Sequence, residues 1–204
     1  MNNDPTQSAR SDGLRPAVFL DRDGTLIEDV GYLDRLERLR LYPWTIEAVR
    51  LINRAGYAVV VVTNQAGVAR GLIEERVVRD VHDVLDRQLK AAGARVDGWY
   101  YCPHEPDAPI PAYRRDCDCR KPKPGLVRRA AADLRLDLAR SIVIGDRWTD
   151  VQLGAAVGSR AIMVETGYGA SQKRRQPPGV AADAIVKDLV EAVVWILRAD
   201  SRKS

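Results

Sequence analysis

The chain has 204 residues, of which 46% are hydrophobic and 29% are charged. A chain of this size and composition can bury a full hydrophobic core, which excludes a mostly disordered protein and a disulfide-stapled small fold. No apolar run approaches the roughly 20 residues of a membrane span, so we predict no membrane partner. The polar start of the sequence lacks the basic and apolar segments of a signal peptide, and we predict a cytoplasmic location.

The net charge of +4 arises from 32 Lys and Arg against 28 Asp and Glu. The largest basic cluster, at residues 173–175, adjoins a proline pair and is typical of a solvated loop. Aromatic residues make up only 6% of the chain and do not interleave with basic ones, unlike single-stranded nucleic-acid platforms. We therefore predict no nucleic-acid partner.

Short apolar runs alternate with amphipathic segments along the chain. Residues 1–14 are polar and predicted to be a disordered tail, and residues 15–200 are predicted to be a single domain. The predicted strands are 17–20, 57–62, 99–101, 141–144, 161–164 and 184–186. The predicted helices are 43–55, 74–92, 126–134, 151–157 and 189–198. This alternation predicts an α/β domain with three layers: a Rossmann-like parallel sheet and helices on both faces.

Polar side chains follow the predicted strands: Asp21, Asp23, Thr63, Asn64 and Asp146. Ligands of such sheets bind at the carboxyl ends of the strands, so these residues predict an active site there. Asp21 and Asp23 would repel each other unless one of them is protonated or a cation shares their site, and Mg²⁺ prefers such oxygen ligands. Asp146 alone would also fit a helix N-cap.

Four motifs in order resemble the haloacid dehalogenase superfamily over residues 17–165. They are Asp21-x-Asp23-Gly24-Thr25, then Thr63, then Lys121 before a helix, and finally Gly145-Asp146-x-x-x-Asp150. The resemblance implies a phosphoryl-transfer enzyme, because dehalogenases of the superfamily lack an acid at the position of Asp23.

The resemblance also implies a role for each motif residue. Asp21 would be the nucleophile and form an aspartyl-phosphate, and Asp23 would be the general acid and base. Mg²⁺ would bind Asp21, Asp146 and the backbone carbonyl of Asp23. Thr63 and Lys121 would stabilise the phosphoryl oxygens.

Two assignments stay open at this stage. Spacing alone does not choose between Lys121 and Lys123 for the lysine role, although the resemblance favours Lys121. Asp150 would orient Lys121 or a metal-bound water, or would only cap a helix. His82 lies in the middle of a predicted helix, far in sequence from every motif, and we interpret it as structural or exposed.

A Pro-rich, charged segment at about 102–119 carries all three cysteines of the chain and one of its two histidines. Three thiolates and one imidazole, from Cys102, His104, Cys117 and Cys119, suit tetrahedral Zn²⁺. Buried core cysteines are the alternative, but the segment has few apolar residues to surround them. We predict a small zinc-binding loop insertion with a structural role.

The motifs together resemble a narrower family, the D-glycero-D-manno-heptose 1,7-bisphosphate phosphatases. The matching segments are 21–26, 31–32, 63–71, 101–104 and 117–122. The resemblance implies Mg²⁺-dependent removal of the C7 phosphate in the synthesis of nucleotide-activated heptose for lipopolysaccharide. It also implies a monomer without a large cap domain. The implied substrate contacts are Asp29, Val30, Gly31, Tyr32, Asn64, Gln65, Ala66, Arg120 and Arg147.

Two other functions remain open from the sequence. Histidinol-phosphate phosphatases share these motifs, and only the substrate would separate the two families. A zinc-knuckle protein that binds nucleic acid would fit the basic composition and the metal loop, but it leaves the strand-end carboxylates unexplained.

Overall fold

The computed structural model describes residues 13–201. Most of the predicted tail, residues 1–12, therefore lies outside the described residues. Six parallel strands form one sheet in the order β3-β2-β1-β4-β5-β6, which confirms the predicted fold class. The strands are β1 (Arg15–Leu20), β2 (Ala58–Asn64), β3 (Gly98–Cys102), β4 (Leu136–Gly145), β5 (Arg160–Val164) and β6 (Ala184–Val186).

Helices cover both faces of this sheet, and together the layers enclose two main apolar clusters. The helices are α1 (Thr45–Arg54), α2 (Ala66–Ala69), α3 (Glu75–Ala91), α4 (Gly125–Leu134), α5 (Trp148–Val157), α6 (Gly169–Gln172) and α7 (Leu189–Ser201). Short 3₁₀ turns lie at Leu36–Arg38, Pro111–Tyr113 and Lys173–Arg175. Successive strand residues point to opposite faces, so Val18 and Leu20 pack against α1, α3 and α7, while Phe19 packs against α4.

The fourth strand is longer than predicted, because it begins at Leu136, and Leu136 and Asp137 also pair with β1. Polar residues in this extension mask its strand character. The register between β1 and β4 shifts after Pro16. There the Ser141 hydroxyl accepts a hydrogen bond from the Ala17 backbone N–H at 2.9 Å and donates to the Asp137 carbonyl, which satisfies the backbone at the irregularity.

In the described chain, loops, short turns and the four-residue helices α2 and α6 cover the carboxyl edge of the sheet. Residues 21–44 and 103–124 form its longest segments, and each contains one 3₁₀ turn. Neither forms a cap domain, so the central cleft opens directly beside β1, β2 and β4. Among residues 13–201, no helix is long and apolar enough to cross a membrane.

Candidate active site

Three carboxylates meet at the carboxyl edge of the sheet. Asp21 directly follows β1 and Asp146 directly follows β4, and these two strands are neighbours. Asp150 comes from the first turn of α5. Oxygen atoms of the three side chains lie within 4.8 Å of one another, and all three residues are buried. The fold therefore concentrates negative charge at the point where the sequence predicts catalysis.

One lysine partly balances this charge. Lys121 is buried, and its Nζ lies 2.9 Å from Asp21 Oδ1 and 2.6 Å from Asp150 Oδ1. Burial alone would lower the pKa of Lys121, but the carboxylates of Asp150 and Asp21 outweigh it and raise the pKa. Lys123 instead pairs with Asp116 at the surface. The structure thus places Lys121, and not Lys123, in the site.

Asp150 has both of the functions considered from the sequence. It pairs with Lys121, and its Oδ2 accepts the backbone N–H of Arg147 at 3.2 Å, which caps the start of α5. Its close approach also explains a glycine in the last motif, because a Cβ at Gly145 would overlap the Asp150 carboxyl group.

The negative charge of the three carboxylates that Lys121 does not balance favours a bound cation. Burial raises the pKa of Asp21 to about 6 despite the neighbouring Lys121. Burial, reinforced by the Asp21 carboxylate, raises the pKa of Asp146 to about 8. Asp146 Oδ1 is buried and accepts no hydrogen bond. These oxygen donors fit a hard divalent cation, which would stabilise the charged forms.

The stability of the cation-free protein should therefore fall as pH rises from about 4 to about 8. In that window the native carboxyl groups keep protons that the unfolded chain has released, at a cost of about 1.4 kcal/mol per pH unit for each proton. The rise in Tm on adding Mg²⁺ should consequently grow with pH. Thermal unfolding with chelator and with Mg²⁺ measures this.

Asp146→Asn should remove most of the Mg²⁺-induced rise in Tm and should be more stable than the unaltered protein without cation near pH 8. Asp34→Asn, at an exposed carboxylate paired with Arg38, serves as the control and should change neither result. A Mg²⁺ effect that is independent of pH, or that survives in Asp146→Asn, would contradict the assignment.

Asp23 lies beside this cluster and is held by side chains from two elements. The buried guanidinium of Arg22 pairs with it at 2.9 Å. Gln65 Nε2 donates to Asp23 Oδ2 at 2.8 Å and to Thr63 Oγ1 at 2.9 Å. Gly24, at a φ of +78°, makes the turn that follows, and a Cβ there would overlap the Asp146 carboxylate.

A cavity of about 390 Å³ opens onto these side chains. Its lining residues are Asp21, Asp23, Asp29, Gly31, Tyr32, Thr63, Asn64, Gln65, Ala66, Gly67, Arg70, Ile73, Arg120, Lys121, Arg147 and Thr149. It includes all the predicted substrate contacts except Val30, whose side chain packs against the hydrophobic core. Arg70 was not among the predicted site residues, although it lies in the segment 63–71 that resembles the family. Nothing in the local sequence distinguishes it from a surface arginine.

Asn64 and Gln65, two of the predicted substrate contacts, form hydrogen bonds with the catalytic candidates. Asn64 donates to the Lys121 carbonyl at 3.1 Å and accepts the Lys121 N–H at 3.0 Å, which fixes the lysine backbone to the end of β2. Gln65 links Asp23 to Thr63. These side chains line the cavity and also hold its catalytic candidates in place.

Arginines surround the mouth of the cavity. Arg70 forms two hydrogen bonds with Glu105, including Nε to Oε2 at 2.6 Å, and a third with the Tyr32 hydroxyl. Arg120 Nη2 lies 3.5 Å from the same glutamate. On the other side, Arg147 lies over the Tyr168 ring at 3.9 Å. Guanidinium groups of this kind suit bidentate contacts with phosphate.

The four predicted zinc ligands form a second cluster. The ligand atoms of Cys102, His104, Cys117 and Cys119 lie within 4.8 Å of one another. The sulfur of Cys102 is 3.5 Å from that of Cys117 and 3.2 Å from that of Cys119, and His104 Nδ1 is 3.3 Å from Cys119. Three sulfurs and a ring nitrogen that converge in this way fit tetrahedral Zn²⁺.

Burial also affects the protonation of this cluster. Burial raises the pKa of the Cys102 thiol and raises that of Cys119 to about 11. Thiolates are the form that binds zinc, so metal binding would displace protons from this cluster. The chain continues from Cys119 directly to Arg120 and Lys121, so the cluster lies next to the active-site edge.

We compared the sequence and the structure of the chain with those of known proteins. A family model described as HAD-hydrolase-like matches residues 118–192. The chain is 39% identical over 178 residues to the D-glycero-beta-D-manno-heptose-1,7-bisphosphate 7-phosphatase of Photorhabdus laumondii, which covers 86% of this chain and 92% of that protein. The enzyme of that name from Escherichia coli strain K12 is 37% identical over 86% of this chain and 91% of its own length.

The chain belongs to the heptose-1,7-bisphosphate 7-phosphatase family. A solved structure of a D,D-heptose 1,7-bisphosphate phosphatase from B. bronchiseptica, complexed with magnesium and phosphate, superposes with a TM-score of 0.79 at 31% identity. It covers 90% of this chain and 99% of its own. The family phosphatases are phosphomonoester hydrolases, and the fold and enzyme class expected from the motifs are therefore confirmed.

Proposed function

We propose that the protein hydrolyses the C7 phosphate of D-glycero-D-manno-heptose 1,7-bisphosphate. The observation that carries the proposal is the buried group of Asp21, Asp146, Asp150 and Lys121, of which Asp21 and Lys121 line an arginine-rimmed cavity. Relatives that cover most of the chain bear the name of this activity. A cavity with cationic side chains at its mouth suits a substrate with a second phosphate.

The proposed reaction takes place in two successive displacements at phosphorus. A carboxylate oxygen of Asp21 attacks phosphorus while the bond from phosphorus to the C7 oxygen breaks, and Asp23 gives its proton to that oxygen. Asp23 then takes a proton from water, whose oxygen attacks the aspartyl-phosphate. This second step releases inorganic phosphate and restores the Asp21 carboxylate.

The other residues stabilise charge during both steps. Lys121 would hold phosphoryl oxygens through its Nζ, and Thr63 through its hydroxyl. Asp150 keeps Lys121 beside Asp21 through the 2.6 Å pair. We propose that Mg²⁺ binds Asp21, Asp146 and the backbone carbonyl of Asp23, where it would supply positive charge beside the transferred phosphoryl group.

The zinc loop has a supporting role in this proposal. Zn²⁺ on Cys102, His104, Cys117 and Cys119 would cross-link a segment that has few apolar residues of its own. With all four positions taken by protein ligands, the ion would be structural. A monomeric state, a cytoplasmic location and the absence of nucleic-acid and membrane partners remain predictions from the sequence, as does a single domain over residues 15–200.

Phosphate release from purified protein with Mg²⁺ tests the function. The substrates are the α and β anomers of the heptose bisphosphate, with histidinol phosphate alongside. We expect one heptose anomer to be the fastest substrate, with phosphorus NMR showing loss of the C7 phosphate and retention of the C1 phosphate. Faster release from histidinol phosphate, or release of the C1 phosphate, would contradict the proposal.

A further inference from the structure

Arg22 is a fully buried arginine to which the proposed reaction gives no role. It is 1% exposed and lies between the two catalytic aspartates in sequence. Its Nε donates to Asp23 Oδ2 and its Nη2 to Asp23 Oδ1, both at 3.1 Å. A fork of two hydrogen bonds fixes the plane of a carboxyl group, which a single ammonium group cannot do. The orientation of Asp23 therefore depends on where Arg22 is held.

A histidine from α3 contacts the third nitrogen of this guanidinium. His82 is 5% exposed, and its Nε2 lies 3.3 Å from Arg22 Nη1. Guanidinium nitrogens only donate, so Nε2 accepts and the ring proton resides on Nδ1. The ring stacks on Trp99, with centroids 5.0 Å apart, and meets the edge of Tyr101 at 5.8 Å. Helix α3 and strand β3 thus hold the far end of Arg22.

The donors around Asp23 leave its two oxygens unequal. Oδ2 accepts from Arg22 Nε and from Gln65 Nε2, whereas Oδ1 accepts from Arg22 Nη2. Each carboxylate oxygen can accept about two hydrogen bonds. Oδ1 is therefore the better place for a transferable proton, and Asp23 lines the cavity.

We propose that His82 is a positioning residue of the reaction, which holds Asp23 through Arg22 so that Oδ1 delivers its proton to the leaving oxygen. The inference rests on the proposed phosphatase function and adds a residue to it. The alternative is that His82 only packs α3 onto the sheet. The two roles differ in how activity depends on the basicity of the leaving group.

Substrates with different leaving groups separate the two roles. A sugar or alkyl phosphate needs a proton on its departing oxygen, whereas p-nitrophenolate departs without one. The ratio kcat/KM reports the steps through transfer to Asp21. We expect His82→Leu to lower kcat/KM at least about 10-fold for the alkyl substrate and less than about 3-fold for p-nitrophenyl phosphate. His82→Gln, which keeps an acceptor for Arg22, should recover most of the loss.

Two further variants link the effect to Asp23. In an Asp23→Asn background, His82→Leu should cause no additional loss for the alkyl substrate, because the group it positions is already inactive. Arg22→Lys keeps the charge but not the fork, and it should reproduce the selective loss even if His82→Leu does not fold. Leu89→Ala, at another buried position of α3, should lower Tm while changing both substrates equally.

Any of three results would overturn the proposal. His82→Leu could lower kcat/KM equally for the two substrates, or could cause a further loss in the Asp23→Asn background. His82→Gln could also be no more active than His82→Leu. The unaltered protein distinguishes this failure from failure of the proposed function. If it releases no phosphate from any of the substrates, the phosphatase assignment itself is wrong.

Discussion

Asp21→Asn is expected to lower kcat by at least about 10³-fold. The amide has nearly the shape of the carboxylate but cannot form the acyl-phosphate bond. Asp21 also supplies one of the three clustered carboxylates, and its loss leaves Lys121 paired with Asp150. The fold should therefore persist, as a cooperative thermal transition would show. Phosphate release with Mg²⁺, measured beside thermal unfolding, tests both expectations.

A labelled intermediate makes this test more specific. Unaltered protein quenched in acid during turnover should carry phosphate in a hydroxylamine-sensitive linkage, as an acyl phosphate does, whereas Asp21→Asn should carry none. Asp34→Asn, at an exposed carboxylate, is the control and should keep full activity. Turnover by Asp21→Asn, in a preparation free of other phosphatases, would reject Asp21 as the nucleophile.

Cys119→Ser is expected to have the largest effect on stability. It removes one of the four converging ligand atoms, and loss of a structural metal is among the few single changes that cost several kcal/mol. A loss of about 3 kcal/mol would lower Tm by about 6 to 12 °C for a domain of this size. Because Arg120 and Lys121 follow directly in the chain, we also expect at least about a 10-fold fall in kcat/KM.

Metal analysis accompanies this test. The unaltered protein should hold about one zinc per chain, and Cys119→Ser should hold little. Asp107→Asn, an exposed change in the same loop, should keep zinc, Tm and activity. A structural zinc site would be excluded if Cys119→Ser held stoichiometric zinc. It would also be excluded if the Tm of the unaltered protein were the same with and without zinc.

Local sequence patterns were enough to predict the strands, the long helices, the strand-end aspartates and the four zinc ligands. Buried runs such as residues 58–62 have no polar interruption, and Cys102, His104, Cys117 and Cys119 stand out in a segment with few apolar residues. The start of β4 left no such pattern. Its first two residues, Leu136 and Asp137, pair with β1 before a shift in register interrupts the pairing.

Contacts between residues that are far apart in the chain could not be predicted from the sequence either. Asp150 was ambiguous because its two functions depend on where Lys121 lies, 29 positions earlier in the chain. His82 was interpreted as structural or exposed, and the structure shows it buried. Its contact with Arg22 spans 60 positions of the chain. No spacing rule connects residues whose proximity is created by the sheet order.

That sheet order also affects the protein during its synthesis. The strands with Asp21 and Asp146 are neighbours in space, yet their paired residues Ala17 and Ser141 are 124 positions apart. The nucleophile leaves the ribosome long before the carboxylate and the lysine that complete its site. An incomplete chain consequently carries the attacking residue without the partners that activate it. We therefore expect the site to be complete only after β4 has joined β1 in the sheet.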